Sequence, residues 1–294
     1  KLWALPFTRH LVIIVSSNRI SSRKEKENIM IKIALNGGKP KTENPNLPTS
    51  FEEYKKEIDW FQAHGLHDFH IHFRDPEGQD TLLQKYVQPQ WEALKIACPG
   101  CRIGIGSPLL FGRTHEKRME EISAWTWKPD YISLNIPEEG SDELAQLLIE
   151  KKIPIEYSCF TIDDALAFEK QRYADSTFRV LVEVSGEKDG QRTVDKAVQI
   201  YQYLHDRYPQ LEYVIHGEDI YTWDVIHYAK DFAKAQKTAV PHSDSCGVLC
   251  SNTRYLFVFF THCSIKQIRN FLCRFLVQQR YNDCTDQTRD KARE

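Results

Sequence analysis

Short apolar segments alternate with stretches of helical periodicity seven times along the middle of this 294-residue chain. The strand-like segments are residues 31–35, 69–73, 102–106, 131–135, 153–157, 179–184 and 211–216. Antiparallel neighbours need only a tight turn, whereas strands joined through helices must lie parallel, so strict alternation predicts a parallel sheet. With nearly eight such units a closed barrel is favoured over an open doubly wound sheet. No G-x-G-x-x-G turn or phosphate-cradling loop follows any of these segments, which weakens a nucleotide-binding sheet further. The expectation is an α/β fold, a (β/α)8 TIM barrel.

Local signals support the helices. Ser50 and Glu53 form a capping box ahead of Phe51, Tyr54, Ile58 and Phe61 at helical spacing. Pro89 suits the first turn of a helix running to Ala97, and Ser141 is the expected cap before Leu144, Leu147 and Leu148. Thr161 opens another helix, and Val194, Ala197, Val198, Tyr201 and Leu204 mark the inner face of the next. Thr222 would cap a last helix carrying Ile226, Ala229 and Phe232.

Composition excludes several classes. At 41% hydrophobic and 27% charged residues the chain can bury a core, and a formal charge of −2 offers no basic footprint for nucleic acid or anionic membrane. No apolar run approaches the roughly 20 residues of a membrane helix, so a soluble protein is expected. The cysteines, crowded toward the C-terminal end, fit a reducing compartment, and Cys98-Pro-Gly-Cys101 has no second pair at matching distance, which favours a structural reading over zinc or redox chemistry.

The chemistry-bearing residues fall at strand ends. His70 and His72, two residues apart on one strand, project from the same face, and a pair of imidazoles is half of a catalytic zinc site. A solvated or core histidine pair is the plain alternative. Ser107, Ser133, Asn135, Glu156, Glu183, His216 and Glu218 also sit at or just past strand ends, where a barrel gathers its active site. Just after the histidines, Arg74 and Asp75 either orient a ligand or pair with each other to stiffen the loop.

Taken together, Ala34-Leu35-Asn36-Gly37-Gly38, Pro45-x-Leu47-Pro48, His70-x-His72-x-Arg74-Asp75-x-x-Gly78, Ser133-x-Asn135-x-x-Glu138 and His216-Gly217-Glu218 before Thr222-Trp223 resemble the β-keto acid cleavage enzymes. The resemblance spans about residues 30–233 and implies a zinc-dependent barrel that condenses a β-keto acid with acetyl-CoA, then cleaves in the retro-Claisen sense to acetoacetate and a new acyl-CoA. It assigns His70 and His72 to zinc. Ser107, Ser133 and Asn135 fall to the substrate carboxylate or acyl oxygen, and Glu156 to the position that faces a distal amino group in the type member. An ion pair with a barrel lysine or arginine is the alternative for Glu156. His216, Glu218 and Asp75 are further site candidates, with a hydrogen-bonded turn as the alternative for the first two. Relatives are commonly homo-oligomers. The cytoplasm is the default location, although the acid-free, Arg- and Ser-containing stretch 1–24 is also compatible with a mitochondrial presequence.

The departures divide the chain into residues 1–29 without family counterpart, a barrel domain at 30–234, and a divergent tail at 235–294. The family's eighth strand reads Arg-x-Gly-Leu-Glu-Asp, whose glutamate is the third zinc ligand, and this chain contains no such sequence. Both ends have the character of sequence joined at a misplaced exon boundary or reading frame. The barrel is therefore expected to be incomplete at the eighth strand, with the β-prone Tyr255–Phe260 suited to the vacant slot. Three outcomes stand open: an active zinc acyltransferase, a catalytically inactive product retaining the substrate rim, and a metal-dependent amidohydrolase. The last is disfavoured because the histidine pair lies on the second strand and no later histidine and aspartate ligands follow in order.

Overall fold

The computed structural model describes residues 11–13, 30–38, 40–42, 44–110, 112–185, 189–217, 221, 224–225, 227–228 and 255–260. Seven parallel strands follow one another in chain order around a curled sheet: β2 (Met30–Ala34), β3 (Asp68–Ile71), β4 (Arg102–Gly106), β5 (Tyr131–Asn135), β6 (Ile155–Cys159), β7 (Thr177–Val184) and β8 (Tyr213–Gly217). The helices between them are α1 (Phe51–Gln62), α2 (Gln84–Ala97), α3 (His115–Ser123), α4 (Ser141–Glu150), α5 (Ile162–Lys170) and α6 (Gly190–Arg207). This is the TIM-barrel architecture in incomplete form, as the alternation of the sequence requires.

At the free edge of β2 stands β9 (Tyr255–Phe260), parallel to it in the register Met30↔Tyr255 and Ile31↔Leu256. It also passes within 8 Å of β8, although no β8–β9 ladder forms among the described residues. The tail segment thus takes the place beside the first barrel strand. β1 (Leu11–Ile13) pairs antiparallel with β9 and β2.

Several local expectations shift. The capping box at Ser50 and Glu53 forms, and a second opens α5 between Thr161 and Asp164. Pro89, however, lies inside α2, which begins at Gln84. The Gln84 side chain exchanges hydrogen bonds with Thr126, 2.8 Å to its hydroxyl and 2.9 Å from its peptide N–H, and this non-local anchor starts the helix earlier than the proline predicts. Ser141 is the first residue of α4 and Gly140 the cap, at φ 68°. Of the expected C-terminal helix, Asp224, Val225, His227 and Tyr228 are helical, whereas Thr222, Ile226, Ala229 and Phe232 lie outside the described residues.

Strand alternation sorts two interiors. Ile31, Ile33, Phe69, Ile71, Ile103, Ile105, Ile132, Leu134, Ile155, Val180 and Val182 face the helices and pack with Tyr54, Ile58, Leu94, Leu144 and Phe168 in one apolar core. The opposite set is polar and equally buried. Lys32, Asp68, Tyr131, Ser133, Glu156 and Arg179 meet in the barrel, joining β2, β3, β5, β6 and β7. Arg179 donates from Nε to Glu156 Oε2 at 2.5 Å and from Nη1 to Asp68 Oδ2 at 2.8 Å, and its guanidinium lies 4.8 Å from the centre of the Tyr131 ring. Lys32 pairs with the other Glu156 oxygen, to which the Ser133 hydroxyl also donates, at 2.8 Å. Tyr131 closes the layer by donating to Asp68 Oδ1 at 3.1 Å. Gly104 makes room for that ring, since a Cβ there would stand 2.1 Å from it.

Burial pushes the Glu156 carboxyl up, but Arg179 and Lys32 more than offset this and hold it at about 2. For Lys32 burial wins, drawing the ammonium down to about 8 against the pull of Glu156. The carboxylate is therefore the firmer charge, with Arg179 as its principal partner, and both groups are ionised at pH 7. Because the folded pKa of Glu156 lies below its unfolded value, the stability it contributes is complete above about pH 4.5 and is lost as the pH falls toward 2. Glu156→Gln leaves two buried cations short of a partner, so it should cost about 3–5 kcal/mol and flatten this acid branch. Urea unfolding of both proteins from pH 7 down to pH 3 is the check; an unchanged midpoint in the variant would contradict the assignment.

Candidate active site

The carboxyl ends of the strands bring most of the sequence-predicted residues together. Only four residues, Asp68–Ile71, pair as β3, so His70 is on the strand and His72 one residue past it. Their rings remain neighbours, with centroids 5.1 Å apart. Register sets His70 beside Ala34 and Gly104, and places Ser133 opposite Gly106 and Glu156.

His70 hangs on the ionic layer. Its Nδ1 lies 3.3 Å from Ser133 Oγ, whose single proton goes to the Glu156 carboxylate. Nδ1 must therefore carry a hydrogen, leaving the Nε2 lone pair bare. Burial, reinforced by the charges of Lys32, His72, Arg179 and His216, holds this imidazole well below its ordinary pKa, so it is neutral at pH 7.

His72 is held by other groups. Its Nδ1 lies 2.8 Å from Asp80 Oδ2. Burial favours the acid form of Asp80, but the hydrogen bond from His72 and the charges of Arg113 and Arg74 keep its carboxyl below the ordinary range. A carboxylate only accepts, so His72 also carries its hydrogen on Nδ1. Asn36 clasps the backbone of the same residue, accepting from the His72 N–H at 2.9 Å and donating to its carbonyl at 2.7 Å; the Tyr54 hydroxyl adds a bond to that carbonyl at 3.3 Å. Across the mouth, Gly106 lies so close to the ring that a Cβ would stand 2.3 Å from Nε2.

The other candidates have defined places. Ser107 is buried and donates to the Ser133 carbonyl at 2.5 Å. Asn135 is half-buried at the end of β5 and donates to Glu138 Oε1 at 2.8 Å. That carboxylate also accepts from the Leu109 N–H at 3.2 Å and pairs with Arg118. Glu156 sits below the histidines with both oxygens engaged by protein groups. His216 is fully buried, its Nδ1 3.3 Å from Glu183 Oε1 on the adjacent strand. Glu218 lies outside the described residues.

Arg74 and Asp75 do not pair with each other. The Arg74 guanidinium donates to the Gly37 and Gly38 carbonyls at 2.6 and 3.2 Å and reaches Asp80 at 3.7 Å. Asp75 caps its own turn, accepting from the Glu77 and Gln79 N–H groups. The carboxylate that meets His72 is instead Asp80, a residue outside the motifs that marked the site in sequence. The turn at Gly78 folds the chain back, so that Arg74 and Asp80 bridge antiparallel. An acid two residues beyond that glycine was the signal available.

Residues 28–180 match the beta-keto acid cleavage enzymes, slightly more than half of the chain. This chain belongs to that family. The matched segment contains both histidines, Ser107, Ser133, Asn135, Glu156 and Asp80, and it ends before His216. Over 110 residues the chain is 29% identical to the 3-keto-5-aminohexanoate cleavage enzyme of Acetoanaerobium sticklandii, which corresponds to 37% of this chain. It spans about two-fifths of that curated relative's length, 39%. In fold it is similar to the type I 3-dehydroquinate dehydratase of Clostridium difficile, at 9% identity and a TM-score of 0.52, covering 84% of this chain and 92% of that one.

In chemical terms the mouth presents two neighbouring imidazoles whose Nδ1 positions are both committed, with hydroxyl and amide groups on the next two strands. That donor set fits two ligands of a zinc ion; among the described residues no group of three histidines, cysteines or carboxylates is placed to complete it. Gly106→Ala should displace the His72 ring and cost about 1–3 kcal/mol through overpacking. Histidine ring resonances and an unfolding curve would show it, and an unmoved His72 signal at wild-type stability would contradict the close approach.

Proposed function

We propose that this barrel binds zinc through His70 and His72 and cleaves a β-keto acid with acetyl-CoA, giving acetoacetate and an acyl-CoA. The observation that carries the reading is the family membership of the segment holding two histidines already set with Nε2 bare. Zinc bound there would polarise the substrate ketone as a Lewis acid. The rest falls to the chain's own residues. Ser107 and Asn135, which each donate to a protein acceptor without substrate, would turn a donor to the carboxylate or acyl oxygen. Ser133 would hold His70 in place rather than bind substrate directly.

Glu156 bears on substrate choice. The resemblance aligns it with an acidic position that faces an amino group, yet here Lys32 and Arg179 already satisfy that carboxylate. A β-keto acid without a distal ammonium suits this arrangement better than an amino substrate, because a third cation would have no counter-charge. The family's third ligand has no counterpart in sequence, so turnover is expected to be weak.

The test is acetoacetate formation from acetyl-CoA and a panel of β-keto acids, run on the chain and on a variant in which an Arg-x-Gly-Leu-Glu-Asp segment replaces Tyr255–Phe260. Product from the variant, at least tenfold above the unaltered chain and abolished by His70→Ala, is the expected result. No product from either, with zinc supplied and folding verified, would overturn the reading.

A further inference from the structure

Asp80 is a buried carboxylate at the mouth with both oxygens engaged by side chains from other parts of the chain. Its side chain is 4% exposed. One oxygen, Oδ2, takes the His72 Nδ1 at 2.8 Å and lies 3.7 Å from Arg74 Nη1. The other, Oδ1, accepts from Arg113 Nη2 at 2.8 Å, and the same nitrogen donates to the Asp80 carbonyl at 3.0 Å. The Arg113 side chain is itself buried, held between Asp80, the Pro108 carbonyl at 3.2 Å and Glu121 at 3.6 Å. The carboxylate thus bridges a donor that is permanently charged and a ring that can place its hydrogen on either nitrogen.

We propose that Asp80 is the positioning residue of His72, and that Arg113, by occupying one carboxylate oxygen, forces the other to fix the ring with its hydrogen on Nδ1 and its lone pair on Nε2. Asn36 completes the hold from behind, clasping the peptide N–H and carbonyl of His72 and so fixing the backbone from which the ring projects. The inference stands on this geometry alone; the zinc reading only says what a bare Nε2 serves.

A specific consequence follows from the arithmetic of acceptors. An asparagine in place of Asp80 has one oxygen and one amide NH2. Arg113 and Arg74 have only donors, but Arg113 stands within hydrogen-bond distance at 2.8 Å whereas Arg74 is 3.7 Å away, so Arg113 claims the oxygen and the NH2 turns toward His72. His72 must then accept at Nδ1 and carry its hydrogen on Nε2, the inverse tautomer. If Arg113 is also removed, the oxygen can turn back to His72 and the original tautomer returns.

The experiment is long-range proton–nitrogen correlation of histidine rings in the metal-free full chain labelled with 15N-histidine, with the pH raised until the spectra report neutral rings. The His72 signals are assigned by their loss in His72→Gln. The wild-type ring is expected to carry its hydrogen on Nδ1, Asp80→Asn to carry it on Nε2, and Asp80→Asn with Arg113→Met to revert. A wild-type His72 protonated on Nε2, or an Asp80→Asn ring unchanged from wild type, would overturn the proposal. The wild-type spectrum alone decides should a variant fail to fold. Because no metal is present, the result separates the role of Asp80 from the proposed function.

Discussion

The buried layer of Lys32, Asp68, Glu156 and Arg179 is the constraint from which the rest of this barrel is hung. Four charges of balanced sign lie inside a sheet, where an unpaired one would cost several kcal/mol. They are tolerated because each finds opposite charge and hydrogen bonds from strands far apart in sequence, Lys32 and Glu156 being 124 positions apart. The pairs stitch β2 and β3 to β6 and β7 across the barrel. A curled sheet whose eighth position is taken by a tail strand depends on such ties to keep its curvature.

The same layer sets the chemistry above it. Glu156 accepts the hydrogen bond of the Ser133 hydroxyl, which obliges His70 to donate from Nδ1. His72 reaches an equivalent state by an independent route, through Asp80 and Arg113 on the loops after β3 and β4. Two rings 5.1 Å apart are thereby oriented by separate supports, one from below and one from the side. Gly104 and Gly106, in β4, give both the Tyr131 ring of the layer and the His72 ring above it the space they occupy. A strand read from sequence as merely apolar thus owes two of its five residues to the side chains that cross it.

What was legible in the sequence is what depends on local pattern. Alternation of apolar strands with helical periodicity identified the barrel, the spacing of His70 and His72 put both rings on one face, and Ser50 with Glu53 marked a helix start. What was not legible depends on contacts between distant residues. Pro89 suggested a helix start, but the bonds between Gln84 and Thr126 set it five residues earlier. Asp75, adjacent to the histidines, was weighed as an orienting acid, whereas the turn at Gly78 spends Asp75 on its own backbone and delivers Asp80. Glu156 could be read as facing substrate or as an ion-pair member, and only the arrival of Lys32 and Arg179 from other strands shows what engages it.

The central claim is that His70 and His72 form a preset pair of metal ligands, and zinc titration of the purified metal-free chain tests it most directly. One equivalent bound per chain, weakened at least tenfold in both His70→Ala and His72→Ala, is the result predicted. A folded chain that takes up no zinc, or binds it equally well without either histidine, would contradict the account.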